Sequence, residues 1–258
     1  LRRWKARFPP SRAAWWSTTM TTARRSACWP KPIPTPRQTG PERMTIPTTD
    51  DTLLDGAVIF RQPAEGYRAA IDPVFLAAAV PDSVRGRVLD LGCGAGAAML
   101  CLARRRTDLT VVGLERDAEL AALAAANSEA NEFGTRVSVL AGDLLQPPPK
   151  LTVASFDAVI ANPPYLEAEN VTASPDPGKA AANVEGEADL DDWVRAASRF
   201  VKPQGMVIFI HRADRLAALY KALTQAGCGG SVTIPLWPKP GAQPNRAIVL
   251  SQRGNNGP

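Results

Sequence analysis

From residue 87 onward, short apolar runs alternate with stretches of helical period. The runs at 88–91, 111–114, 137–140, 156–161 and 206–210 are each four to six residues long. They carry little polar alternation, as strands covered on both faces do. Helical patterns fall between them, at 97–106, from Asp117 to about Gly134, at 190–200 and at 213–226. Asp117 has the chemistry of an N-cap and Gly134 that of a C-terminal glycine. Lys202-Pro203-Gln204-Gly205 reads as the turn closing the third of these helices. Two late strands, at 232–236 and 246–251, are separated only by a Pro/Gly-rich loop, which permits an antiparallel pair but no parallel crossover. The expected fold is α/β: a doubly wound, mostly parallel seven-stranded sheet with an antiparallel C-terminal strand and helices on both faces.

Ahead of this pattern, ordered sequence is expected from about Thr52, with a strand at 56–60 and a turn from Pro63 to Gly66. Asp72-Pro73 reads as an N-cap with proline at the first helical position, opening a helix that stops at Pro81. Residues 44–86 are thus an N-terminal cap beside the cofactor and substrate site, 87–252 the core, and 253–258 a disordered tail.

Charge divides the chain further. Its 258 residues carry a net +5, yet residues 1–43 hold ten Lys/Arg and one acid, and residues 44–258 hold twenty against twenty-four. The basic segment contains seven of the 24 prolines and four of the six tryptophans, without a period, and reads as disordered. Met44 is the expected natural start; a basic arm that holds nucleic acid is the alternative. No run approaches the ~18 apolar residues of a membrane span. One histidine and four cysteines without paired spacing point to no metal site and to a cytoplasmic protein.

Ligands of such sheets bind at the carboxyl ends of the strands, and the unusual residues fall there. The first strand runs into Asp90-Leu91-Gly92-Cys93-Gly94-Ala95-Gly96. Gly92, Gly94 and Gly96 permit positive φ and close approach of a ligand. Gly92, Gly94 and Ala97 also fit a dinucleotide fingerprint. Asp90, beneath the loop, would repel a pyrophosphate and suits a cation without phosphate, such as S-adenosylmethionine. Glu115 can accept from two ribose hydroxyls, Asp143 from an adenine amino group, and Leu144 can pack on the ring. After 156–161 comes Asn162-Pro163-Pro164-Tyr165. Neither proline has an N–H, so pairing stops and the backbone is stiff. The Asn162 side-chain oxygen and the Pro163 carbonyl can accept both hydrogens of a planar amino group, with Tyr165 stacking on its ring. His211 receives no catalytic role. Arg61, Arg68, Lys179, Arg195, Lys202, Arg212 and Arg215 are candidates for phosphate.

On these motifs residues 52–252 resemble the class I S-adenosylmethionine-dependent methyltransferases, a Rossmann-like family. Within it they are similar to the small-domain methyltransferases related to the bacterial tRNA (valine) adenine-N6 enzyme. Gly66 to Ala79, Lys179-Ala180-Ala181 and Glu185 to Leu190 add to that likeness, while the segment between Asn170 and Asp189 departs from it. The resemblance implies S-adenosylmethionine as cofactor, Asn162, Pro163 and Tyr165 as catalytic residues, and adenine N6 of RNA, foremost tRNA, as substrate. A protein glutamine side chain presents the same planar NH₂ and is the alternative; a non-catalytic cofactor- or RNA-binding module is the third reading.

Overall fold

The computed structural model describes residues 46–66, 68–164, 188–255 and 257. The expectations for 1–43, Tyr165, Lys179–Ala181 and 185–187 lie outside these residues.

Two sheets are present among the described residues. A hairpin pairs β1 (Thr48–Leu53) with β2 (Val58–Pro63) antiparallel. The large sheet has β3 (Gly86–Leu91), β4 (Leu109–Glu115), β5 (Val137–Ala141), β6 (Phe156–Ala161), β7 (Val201–Arg212), β8 (Cys228–Leu236) and β9 (Arg246–Arg253). Its order is β5-β4-β3-β6-β7-β9-β8, and only β9 runs antiparallel to its neighbours. The expected seven-stranded, mostly parallel sheet is therefore the observed one.

Period-two alternation divides the core between the two faces. Val88, Val111, Ala158, Ile160 and Ile208 pack with helices α1 (Asp72–Ala79) and α2 (Ala97–Arg105). Leu89, Val112, Val159, Val207 and Phe209 point the other way, toward α4 (Leu190–Phe200) and α5 (Leu216–Gln225). Helix α3 (Ala118–Ala130) lies on the first face, where Ala124 joins the core. The chain leaves β3 toward β4 and β5, then returns to place β6 on the other side of β3. That reversal opens a crevice between the carboxyl ends of β3 and β6.

Several local expectations need correction. A strand precedes the one expected at 56–60: the polar run of β1, Thr-Thr-Asp-Asp-Thr-Leu, pairs along β2, which itself starts at Val58 after a turn with positive φ at Leu54, Asp55 and Gly56. Asp72 is the first helical residue rather than a side-chain cap; its carboxylate instead meets Arg246 Nε at 3.2 Å. Helix α3 is capped by Asp117 as expected, but it ends at Ala130, with Asn131 as its C-cap and Glu132 left-handed at φ 56°. Gly134 falls in a short 3₁₀ turn beyond. Residues 202–205 form no separate turn: β7 begins at Val201 and absorbs them as a register shift against β6. The start of the expected C-terminal tail is tied to the sheet, since Arg253 closes β9 and Gly254 N donates to Gly227 O at 2.8 Å.

Arg106, 8% exposed, fastens α2 to the segment before β3 by donating to Pro81 O and Val84 O. This explains part of the Arg104-Arg105-Arg106 cluster as internal carbonyl capping.

Candidate functional site

A cleft of about 650 Å³ opens at the carboxyl ends of β3, β4, β5 and β6. Asp90, Gly92, Gly94, Glu115, Asp143, Leu144, Asn162 and Pro163 all line it. Gly96 does not: it is the left-handed residue before α2, and a Cβ there would meet Met99 Cε at 2.7 Å. Its glycine is required by the left-handed φ of 96°.

Asp90 is 2% exposed and accepts from Met99 N at 3.0 Å. Met99 is the third residue of α2, whose own cap position is a glycine. Asp90 therefore supplies the capping carboxylate from the neighbouring strand. Burial, and then the charge of Glu115, push its carboxyl up to about 7. Burial also raises Glu115, although both its oxygens accept backbone N–H groups: Oε2 from Gly94 at 2.8 Å and Oε1 from Asp117 at 2.9 Å. Each oxygen keeps a second lone pair, so the residue that anchors the glycine loop can still accept two hydroxyls. Asp143 accepts from Leu145 N at 2.8 Å, closing a turn at the cleft wall.

The loop glycines have separate reasons. Gly92 has φ 70°, and a Cβ on it would overlap the Trp193 ring of α4. At Gly94, φ is 54° and a Cβ would meet nothing within 4 Å, so that backbone faces open cleft. Leu91 pairs with Ala161, which sets Gly92 and Asn162 side by side across the crevice.

Among the described residues the lining carries six carboxylates, Glu65, Asp90, Glu115, Asp117, Glu119 and Asp143, and one arginine, Arg116. Such a lining repels a pyrophosphate and argues against the dinucleotide alternative. A sulfonium-bearing nucleoside with ribose hydroxyls and an adenine amino group, all donors or cationic, matches this set of acceptors. Asp90 and the bare backbone at Gly94 would hold its amino-acid end, Glu115 its ribose, and Asp143 with Leu144 its base.

Three features escaped sequence reasoning. Asn127 and Asn131, one turn apart on α3, pair with the free edge of β2 as a strand would. Asn131 Oδ1 accepts from Ile59 N at 2.8 Å and its Nδ2 donates to Ile59 O at 2.6 Å. Asn127 does the same with Arg61 N, 2.9 Å, and Arg61 O, 2.7 Å, and also donates to Ala95 O in the glycine loop at 2.9 Å. Asn127 thereby joins two walls of the cleft. Gln62 is the second feature: it donates to Asp51 and accepts from Ala69 N, while Arg68 reaches Asp51 and Thr49. This network shapes the 63–69 rim. The third is Trp193, brought to the cleft floor by a helix whose start is fixed by the reciprocal Asp189–Asp192 capping box.

Asn127→Ala would strand the Arg61 amide and two carbonyls at a cost of about 1–3 kcal/mol. The expected result is a melting temperature lower by roughly 3–8 °C, together with weaker cofactor binding, checked by thermal unfolding with and without cofactor. Asn131→Ala should match it in stability and leave cofactor affinity nearer the parent.

His211 is fully buried, its imidazole held down at about 4 by burial and by the charge of Arg215. It remains outside the cleft lining. Of the proposed phosphate ligands, Arg61, Arg68, Arg195, Lys202 and Arg212 pair with Asp50, Asp51, Asp192, Asp157 and Asp214.

The chain is similar to known methyltransferases in sequence and in fold. The methyltransferase small domain family matches residues 70–175. The tRNA1(Val) (adenine(37)-N6)-methyltransferase of Aeromonas salmonicida is 28% identical over 193 residues, covering 73% of this chain and 78% of that enzyme. The release factor glutamine methyltransferase of Pasteurella multocida is 32% identical over 155 residues, 52% of this chain and 49% of that one. The crystal structure of a predicted O-methyltransferase from Agrobacterium tumefaciens superposes with a TM-score of 0.59 at 27% identity, covering 72% of this chain and 82% of its own. No described helix is long and apolar enough to cross a membrane.

Proposed function

We propose that this chain, an S-adenosylmethionine-dependent methyltransferase of the class I fold, transfers the methyl group to adenine N6 of an RNA, with tRNA as the substrate. The observation that carries the reading is Asn162-Pro163 at the end of β6, one step beyond the Leu91–Ala161 pair and facing the glycine loop. The chain's share of the Aeromonas enzyme, 78%, supports RNA. The glutamine reading rests on the Pasteurella enzyme, of which the chain spans about half.

Bound S-adenosylmethionine supplies an electrophilic methyl on sulfur that departs from a neutral thioether, so no general acid is required. Asn162 Oδ1 and the Pro163 carbonyl accept the two hydrogens of the target amino group and turn its lone pair toward the glycine loop. Holding the reactants at attack distance can supply ~7–11 kcal/mol. Acceptors that tighten as positive charge grows on nitrogen add a few more. The methylated nitrogen is strongly acidic and loses its proton to water, so no buried base is called for. Tyr165 would stack on the adenine, which must leave its helix to enter the cleft.

Asp90 makes cofactor affinity depend on pH. Its carboxyl, raised to about 7 in the ligand-free protein, must be ionised to face a cation. Affinity should fall toward tenfold per unit as the pH drops below 7, and fall again above about 8 as the cofactor's own α-ammonium loses its proton. Calorimetry from pH 5.5 to 8.5 checks this; a profile flat below pH 7 would place Asp90 away from the positive end.

The test of the substrate class is incubation with labelled methyl donor and a mixture of total RNA and total protein. Label removed by nuclease supports the reading, and label removed only by protease overturns it.

A further inference from the structure

The charge of the catalytic module is segregated. Residues 44–200 carry thirteen Lys/Arg against twenty-three acids, whereas 201–258 carry seven Lys/Arg and one acid, Asp214. The acidic part holds the cofactor cleft. The cationic part is the β7-β9-β8 half of the sheet with α5, a net of +6.

Four of the seven cations lie at the end of the sheet where the cleft opens. Arg212 closes β7, Arg215 follows it, Arg246 opens β9, and Lys239 sits in the loop between β8 and β9. Two acids stand among them within the described residues, Asp214 beside Arg212 and Asp72 beside Arg246. The same loop presents Trp237, 58% exposed, the most exposed large hydrophobic side chain among the described residues.

This loop is built to hold its indole in water. Pro238, Pro240 and Pro244 restrict its backbone. Asn245 N donates to Leu236 O at 3.3 Å and closes the loop's base, and Ala242 N donates to Lys239 O at 3.2 Å. Ala213 N donates to Asn245 O at 3.2 Å, tying the loop to the turn that carries Arg212 and Arg215. The aromatic ring and the cations are therefore parts of one connected surface. Along the sheet, β6, which ends at Ala161 just before Asn162, is followed laterally by β7, β9 and β8. At about 4.8 Å per strand, Trp237 stands on the order of 15 Å from Asn162.

We propose that the β8–β9 loop, with Trp237 and Lys239 beside Arg212 and Arg215, is the surface that grips the RNA outside the catalytic cleft. The inference rests on the adenine-in-RNA reading above. An exposed planar ring among cations is the chemistry of a single-stranded nucleic-acid platform: the indole stacks on an unpaired base and the cations take phosphates. A polyanion would meet the net +6 half of the sheet and avoid the acidic half, so the target adenine enters the cleft from the β7 side.

Four variants of the full chain test this with purified tRNA and labelled methyl donor: Trp237→Ala, Trp237→Phe, Lys239→Ala and, as a control away from the loop, Lys221→Ala. Trp237→Ala should raise the KM for tRNA about tenfold, with kcat, cofactor affinity and the salt slope of tRNA binding unchanged. Trp237→Phe, which keeps a stacking face, should restore most of the affinity. Lys239→Ala should lower the salt slope by about 0.7 log units per log unit of salt, and Lys221→Ala should not move it. If the parent methylates tRNA and Trp237→Ala leaves the KM for tRNA within twofold, the surface assignment is wrong while the substrate reading stands. Loss of cofactor affinity in Trp237→Ala in step with tRNA affinity also overturns it, because the ring would then support the fold. A parent that methylates a glutamine peptide and no tRNA refutes the substrate reading itself.

Discussion

Replacing Asn162 with alanine should lower kcat by about 10²–10³-fold while cofactor affinity stays within about twofold of the parent. The side chain stands at the end of β6, beyond the last paired residue, where it lines the cleft next to Gly92. In the proposed mechanism it touches the target amino group and makes no contact with the cofactor's ribose or base. Its loss removes an acceptor whose contribution grows only as charge develops on the nitrogen, so the effect falls on turnover. Single-turnover methyl transfer paired with calorimetry separates the two quantities. An equal loss of cofactor affinity would assign Asn162 to the wrong site.

The second large effect belongs to Asp90. Asp90→Ala should abolish measurable cofactor binding, because it removes both the buried negative charge and the cap of α2. Asp90→Asn separates these roles. The amide oxygen can still accept from Met99 N–H, so the fold should persist, while the loss of charge should weaken cofactor binding about 10–150-fold, the scale of a hydrogen bond to a charged group. Circular dichroism and calorimetry on the two variants give the answer. An asparagine variant that binds as tightly as the parent would show that Asp90 serves only the helix.

Much of this site could be read from the chain because its chemistry is local. Asp90, the glycines and Glu115 stand at the ends of apolar runs, where strand period and turn chemistry both change. Asn162 announces itself through two prolines that stop a strand. What stayed hidden depends on partners far away in sequence. Asn127 and Asn131 look like ordinary residues of an alanine-rich helix, and their partners at Ile59 and Arg61 lie 66–72 residues earlier. The helix stops at Ala130, short of Gly134, and Asn131 caps it: its Nδ2 donates to Asn127 O, one of the last helical carbonyls, at 2.7 Å. Strand β1 escaped because it is polar on both faces and is specified by pairing with β2. Trp193 escaped because an aromatic residue in the first turn of an amphipathic helix reads as core. Only the fold shows its ring filling the space that Gly92 leaves.

Gly96 stands apart from the other two glycines of the loop. The motif gives all three the same meaning, yet this one lies outside the cleft lining among the described residues, and its φ of 96° by itself demands glycine.

The central claim is amino-group methylation on RNA, and its most direct test is a competition. The full chain is given labelled S-adenosylmethionine, purified tRNA and a glutamine-containing peptide together, and the products are digested and separated. The account predicts label in N6-methyladenosine from the tRNA, abolished by Asn162→Ala. Label confined to the peptide, or label in the tRNA at any group other than the adenine amino nitrogen, would contradict it.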